Sequence, residues 1–381
     1  MKILFITDTP YAWQSGIWFH RNHIPSIGLR DRGHMVKFMH LDGNDIARQL
    51  LEFPDVVVFG RTYHPQTNPL KALRQFKAAG ARIVYDIDDD FWCVNKDNPS
   101  EMVSTAFKDQ YEGFMLEADV CTTPSPELAK KIKKMTKGKK PIFLCNNSIN
   151  HNYYKPRPRK NEKLVIGYSG AASHWGDLDL ITGPLVQLSK EHDFRFIIQG
   201  MVGAPLEGEM YVYDQLLKRN LKPEKKKYYE NALTWYDKMK EMEDVIHIPF
   251  FPPELHPNVI SDCDFDIALA PLHDNEFNHG KSNIKFYEYA AVGSVVLASD
   301  VLPYKTEVNY RAKNNTKDWV NKLEKLIVDV KFREKLQKEQ SEYVWKKAET
   351  SVIALNWELA CQRPGGLKVR KQEDEIANQE L

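Results

Sequence analysis

No excess of one charge, no cysteine motif and no long apolar run marks this 381-residue chain, and each absence closes off a class of function. Lys and Arg number 53 against 52 Asp and Glu, so the net charge of +1 gives no global attraction to nucleic acid or anionic lipid and leaves only local patches for that purpose. The five cysteines, Cys93, Cys121, Cys145, Cys263 and Cys361, are odd in number and scattered without a Cys-x-x-Cys pair. That pattern argues against a disulfide framework and against a structural zinc site, and a reducing, cytoplasmic compartment is the expectation. Nothing approaches the roughly 20 apolar residues of a membrane span, so no transmembrane segment is expected. Met1 to Thr7 has one lysine and a short apolar run followed at once by Asp8; it is too short for a signal peptide and reads as a first buried strand. No repeat of solenoid period is visible.

What is present is alternation. Short β-rich apolar runs at Lys2–Thr7, Met35–His40, Asp55–Phe59, Arg82–Asp86, Val120–Thr123 and Ile142–Leu144 are separated by helical patterns, the signature of a parallel sheet with helices on both faces. The series stops at 146–160, a polar stretch with Pro156 and Pro158 that reads as a connection. It resumes with Lys163–Tyr168, Arg195–Gln199, Val245–Ile248, Ile267–Ala270 and Ser294–Ala298. Two α/β domains with a cleft between them are expected, over 1–155 and 156–345, since the length exceeds what one core usually covers. Residues 200–244, long, aromatic and charged, read as a helical insertion in the second domain. Residues 346–362 read as a helix packing back on the first domain, and 363–381 as a polar tail.

The most informative segment runs from Asn278 to Ser299. A helix is expected from near Ser282 to Gly293, with Lys281, Lys285 and Glu288 spaced i, i+4, i+7 along one face. A lysine at a helix N-terminus opposes the macrodipole, and an anion placed there reverses the sign, because free N–H groups and two ammonium groups then converge on it. A phosphate site follows, with Glu288 a turn further in, able to accept hydrogen bonds from a ribose diol. The competing reading is a solvated helix face.

Glu288, Gly293 and Val295 to Ser299 resemble the donor-binding region of GT-B retaining glycosyltransferases of family 4, and Lys281-Ser282 resembles a divergent branch that reads Lys-Ser there. The resemblance implies two Rossmann-like domains and transfer of a sugar from a nucleoside diphosphate, UDP or GDP, to an acceptor hydroxyl with retention and without a metal or other cofactor. Glu288 is then the ribose ligand, and Lys281, Ser282 and Lys285 face diphosphate and sugar. The family's earlier glutamate falls on Gly280, leaving its sugar contact unassigned. Ile166 to His174 resembles the first strand and glycine turn of the donor domain, which brings Gly170, Ala171 and His174 to the phosphates; the family often has Arg or Lys where His174 stands. Pro249 to Leu255 resembles the loop beside the base, where Phe251 or its neighbour Phe250 is the candidate stacking residue.

In the first domain Gly16 matches a glycine turn near acceptor and phosphates. The run Asp86-Ile-Asp-Asp-Asp90 closes a strand where open α/β sheets place ligands. Asp88 and Asp89 fall on the family's histidine-aspartate pair and are the candidates for acceptor or sugar binding, Asp88 also for catalysis with Lys281 and Glu288; a helix cap is the structural alternative for Asp89 or Asp90. A metal-binding Asp88-x-Asp90 is the rival chemistry. A glycan or small metabolite is the expected acceptor. A modified DNA base is the alternative, with Lys218 to Lys227 and nearby aromatics as the contact. A scaffold that binds a nucleotide sugar without turnover is the non-enzymatic rival.

Overall fold

The computed structural model describes residues 1–7, 15–40, 54–60, 69–95, 98, 105–156, 161–171, 174–200, 230 and 234–363. The first half runs β1 (Lys2–Thr7), a wide π-type turn (Trp18–His23) leading into α1 (Ile24–Asp31), β2 (Met35–His40), β3 (Val56–Phe59), α2 (Pro69–Ala78), β4 (Arg82–Asp86), α3 (Lys108–Glu117), β5 (Val120–Thr123), α4 (Pro126–Met135) and β6 (Ile142–Leu144). Its strands pair in parallel in the order β2-β1-β3-β4-β5-β6. β3, β4 and β5 are buried along their whole length, which is why they lack a period-2 polar alternation; the polar residues they carry, Arg82, Asp86, Thr122 and Thr123, are buried too.

The second half runs β7 (Leu164–Ser169), α5 (Trp175–Ser189), β8 (Phe194–Gln199), β9 (Val245–Ile248), α6 (His256–Cys263), β10 (Ile267–Ala270), α7 (Glu276–His279), α8 (Ile284–Ala291), β11 (Val295–Ser299), α9 (Leu302–Lys305), β12 (Arg311–Ala312) and α10 (Thr316–Val328). The parallel order is β12-β11-β10-β7-β8-β9. Chain order reverses between β7 and β10, and the C-terminal ends of those two strands therefore open a crevice at the switch point, the place where doubly wound sheets bind ligands. α11 (Val330–Lys347) and α12 (Thr350–Cys361) close the described chain. α12 lies on α1 so closely that a Cβ on Gly28 would come within 2.6 Å of the Ala354 Cβ. Its Trp357 joins Phe5, Val58 and Val84 in the core beneath the first sheet.

Strand positions expected from the sequence hold to within a residue, and β12, two residues long, is too short to leave a period-2 signal. The helix expected from Ser282 begins at Ile284 instead, so Lys281 sits in the loop before it and shares no face with Lys285 and Glu288. The reason is local: α7 closes at Gly280, and Asn283, at the N-cap position, sends its amide to Glu307 at 2.7 Å instead of capping. Of the expected insertion, 201–229 and 231–233 lie outside the described residues; Thr234 to Met239 are helical and Trp235 packs on Trp175, ring centroids 5.1 Å apart. The stretch at 364–381 also lies outside them. The connection after β6 carries Asn147, Ser148, Asn150 and Tyr154, all buried; Asn147 bonds Ser282 and Tyr154 bonds Glu288, both in the second half of the chain.

Candidate functional site

The switch-point crevice is built on the main chain of Ser169, the last residue of β7. Its carbonyl accepts hydrogen bonds from Lys285 Nζ at 2.6 Å and from Tyr289 Oη at 2.9 Å, both from one face of α8, and its N–H donates to the same tyrosine oxygen at 2.7 Å. These bonds fasten α8 to the end of β7. Gly170 follows, and the reason for glycine is space: a Cβ there would lie 2.4 Å from Tyr168 Oη and 2.8 Å from Lys285 Nζ. Its N–H donates to Gln199 O, and the Gln199 side chain donates to Pro249 O at 3.1 Å, which ties the turn to the loop bearing Phe250 and Phe251. Phe250 is exposed and Phe251 half-buried at the mouth. Ala171 is exposed beside Gly170, and its carbonyl accepts a hydrogen bond from the His174 N–H at 3.0 Å.

Lys285 is partly buried, and its ammonium stands 4.9 Å from the Tyr168 ring centroid. Burial, reinforced by Lys281 and only partly offset by Glu288 and Asp177, brings its pKa down to about 8. A cation with a depressed pKa gains by meeting an anion, which restores its ordinary proton affinity.

Glu288 lies one turn beyond Lys285 and is 6% exposed. Tyr154 Oη donates to its Oε1 at 2.9 Å, and that oxygen lies 3.3 Å from His256 Nδ1 and 3.4 Å from His20 Nε2. Burial alone would raise its pKa, yet His256 and His20 outweigh that and hold the carboxyl well below the usual range. His256 is itself fixed by Ser169 Oγ at 2.7 Å. The result is an ionised acceptor group at the inner end of a cationic crevice.

His174 and Asp177 stand at the start of α5. Asp177 is 6% exposed; its carboxylate meets His174 Nδ1 at 2.8 Å and accepts from the His273 N–H at 2.8 Å and from Asn278 Nδ2 at 3.4 Å. One side chain thus joins the β7–α5 turn to the loop after β10 and to α7. These residues, with Lys281, Asn95 and Asn98, line a small pocket of about 90 Å³.

Lys281 reaches the first domain, 3.4 Å from Asp89 Oδ1, with its ammonium 4.5 Å from the Phe277 ring centroid. Ser282 Oγ accepts from Asn147 Nδ2 at 2.8 Å. Asn147 in turn accepts from Arg21, which is 2% exposed, forms a two-pronged pair with Asp86 at 2.6 and 2.9 Å, and donates to Cys145 O. A polar chain thus runs from the floor of the first sheet to the donor-side loop. On its far side lies a cavity of about 500 Å³ between the domains, lined by the start of α4, Lys281 to Asn283, and α9.

The acidic run after β4 divides its labour. Asp86 is the buried partner of Arg21, Asp88 adds negative charge near it, and Asp89 faces Lys281. Both oxygens of Asp90 bond Lys131 Nζ at 2.8 and 2.7 Å, which leaves Asp90 poorly disposed to serve the metal-binding Asp88-x-Asp90 reading. Asp90 also accounts for Gly280: a Cβ there would lie 2.9 Å from the Asp90 Cβ, so the first domain fills the room a glutamate at 280 would need. Gly16 is exposed, and among the described residues nothing lies within 4 Å of where its Cβ would be, so they place no steric demand for glycine there. Lys218 to Lys227 lie outside the described residues.

His20, Tyr154, Asp177, Arg21 and Asn147 carry no local motif. The one sequence cue among them is Asp177, an acid in the first turn of an apolar helix, which reads equally well as a helix-dipole partner.

No family model matches the chain, and no curated protein sequence does. Solved structures do. Anabaena HepE in complex with UDP-glucose is similar over 94% of this chain and 99% of its own, with a TM-score of 0.63 at 12% identity. An alpha-glucosyltransferase in complex with UDP-glucose and DNA containing an abasic site gives 0.63 at 10% identity over the same shares. The chain has the GT-B fold. Sucrose-phosphate synthase from Thermosynechococcus elongatus, with a TM-score of 0.60 at 12% identity over 94% of this chain and 98% of its own, shares it. Among the described residues no helix is long and apolar enough to cross a membrane.

Proposed function

We propose that this GT-B chain is a glycosyltransferase of the family 4 type. It moves a sugar from a nucleoside diphosphate, UDP or GDP, to an acceptor hydroxyl, with retention and with protein cations in place of a metal. The first domain, 1–155, takes the acceptor, and the second, 156–345, takes the donor. One observation carries the reading: at the switch point of the second sheet, a glycine turn without room for a Cβ, a lysine with a lowered pKa and a buried carboxylate lie on consecutive turns of structure. That sequence of groups suits diphosphate among Gly170, His174, Lys281 and Lys285 and ribose hydroxyls at Glu288, with the sugar toward Asp89. A leaving nucleoside diphosphate gains negative charge as the anomeric bond breaks, so fixed N–H groups and ammonium groups there stabilise the transition state more than the ground state. The known structures that hold UDP-glucose on this fold favour UDP as donor base. Nucleotide release from a panel of UDP-, GDP- and ADP-sugars, with and without acceptor extracts, tests the reading. Release is expected from one of them and is greatly reduced by Lys281→Ala and Glu288→Ala; near-normal turnover in both variants sinks the site.

A second reading of the acceptor, DNA, draws on α4 and the turn after it. Lys133, Lys134, Lys137 and Lys139 are exposed and have no acidic partner among the described residues. Lys133 and Lys134 lie in the last turn of α4 and Lys137 follows just past its end, and the start of α4 borders the 500 Å³ cavity. Such a row suits a phosphodiester backbone. One structure of this fold holds both UDP-glucose and DNA. Binding to a duplex that weakens steeply with salt, and more weakly still after Lys133→Glu/Lys134→Glu, supports DNA; no binding at low salt leaves a glycan or small metabolite as the acceptor.

A further inference from the structure

We propose that Asp177 is a positioning residue that turns His174 into a cation on demand: it fixes the ring by Nδ1 and leaves Nε2 to take a proton when the donor diphosphate arrives. The inference rests on the donor reading above and adds a residue and a proton to it.

The geometry begins with Asp177, whose carboxylate has little access to water and three protein partners. Two of these, the His273 N–H and Asn278 Nδ2, are amides that only donate, so one carboxylate oxygen is pinned in place. The other oxygen meets His174 Nδ1 at 2.8 Å and can only accept from it. An ionised carboxylate therefore selects the Nδ1–H tautomer, and Nε2 is the ring's remaining polar atom. The side chain of His174 is 15% exposed, and it lines the small pocket together with Lys281.

The charged groups around the ring are Asp177 on its own helix, Lys285 on α8 and Lys281 on the preceding loop, with His273 on the opposite side of Asp177. Burial lowers the imidazole pKa, and the two lysines lower it further against the pull of Asp177. Without a ligand the ring is thus neutral near pH 7. A diphosphate inverts the balance, because it neutralises both lysines and adds negative charge beside Nε2. The proton comes from solvent, and the imidazolium then lies between two anions, Asp177 and the phosphate. A permanent cation at this position would repel Lys281 and Lys285 in the empty site; a histidine carries its charge only when the anion is there.

Two measurements decide the matter. Nitrogen-15 NMR of the imidazoles, assigned with His174→Gln, reads the tautomer without any ligand. The Nδ1–H form is expected in the wild-type chain and a mixture in Asp177→Asn; an Nε2–H form in the wild-type chain overturns the proposal. Calorimetry of UDP at pH 7 in buffers of different ionisation enthalpy reads the proton, and the wild-type chain is expected to take up more than His174→Gln does. Asp177→Asn is expected to weaken UDP by about ten-fold with His174 present and by less than about two-fold in the His174→Gln background, since an effect relayed by the ring vanishes with it. Equal weakening in both backgrounds overturns the proposal and leaves Asp177 as a brace for His273 and Asn278. If UDP fails to bind the wild-type chain at all, the donor reading falls with it, and the proton step is overturned while the tautomer still reports Asp177's hold on the ring.

Discussion

Lys285 offers a prediction whose size follows from the structure. Burial brings its pKa to about 8, so in the empty protein it loses its proton within the range in which enzymes are assayed. A diphosphate bonded to it restores a value near the ordinary one of about 10.4. The sign follows: binding takes up a proton, and affinity is full below pH 8 and lost as the pH rises through the free-state pKa. Linkage gives an uptake of about 0.1 proton at pH 7 and about 0.9 at pH 9, with Kd for UDP rising about ten-fold between them. Proton uptake at pH 9 reads this lysine, whereas uptake at pH 7, where Lys285 is already charged, reads His174. Titration calorimetry in paired buffers measures both. Lys285→Met is expected to abolish the uptake at pH 9 and to flatten the pH dependence of Kd above pH 7. A wild-type Kd that is constant from pH 7 to 9, or an uptake unchanged in Lys285→Met, refutes the reasoning.

Gly170→Ala is expected to leave the chain folded and to cost at least ten-fold in UDP affinity, because its Cβ would displace Lys285 Nζ, 2.8 Å away; calorimetry checks it. Asp86→Asn leaves the Arg21 guanidinium buried without its counter-charge, and a loss of about 3–5 kcal/mol in unfolding free energy is expected by chemical denaturation. Tyr154→Phe removes one hydrogen bond to a buried carboxylate that keeps two histidine neighbours, so about 1.5–3 kcal/mol is expected, shared between stability and nucleotide affinity.

The parts of this molecule that were legible in its sequence are those set by local pattern. β3, β4 and β5 are buried along their whole length, so they appear as short β-rich segments without polar alternation, Val56 to Phe59, Ile83 to Tyr85 and Val120 to Thr123, whose alternation with helices points to a parallel sheet. Gly170, Lys285 and Glu288 were visible because a turn and one helix face hold them. Lys281 was placed on that face in error, since a helix start depends on what its first residues bond to, and Asn283 is drawn to Glu307 by a loop 24 residues on. The groups around Glu288 come from Trp18–His23, from the connection after β6 and from α6; only the closing of the two sheets assembles them. The same holds for Gly280, whose reason is Asp90, a residue of the other domain.

In the proposed function the switch-point crevice of the second sheet holds a nucleoside diphosphate with its ribose on Glu288. Titration of UDP, GDP and ADP into the wild-type chain and Glu288→Ala tests it most directly. One of the three is expected to bind the wild-type chain, and Glu288→Ala, folded by circular dichroism, to bind it at least about ten-fold more weakly, the loss of a charged hydrogen-bond acceptor. Binding of none of them, or binding that Glu288→Ala leaves unchanged, contradicts it.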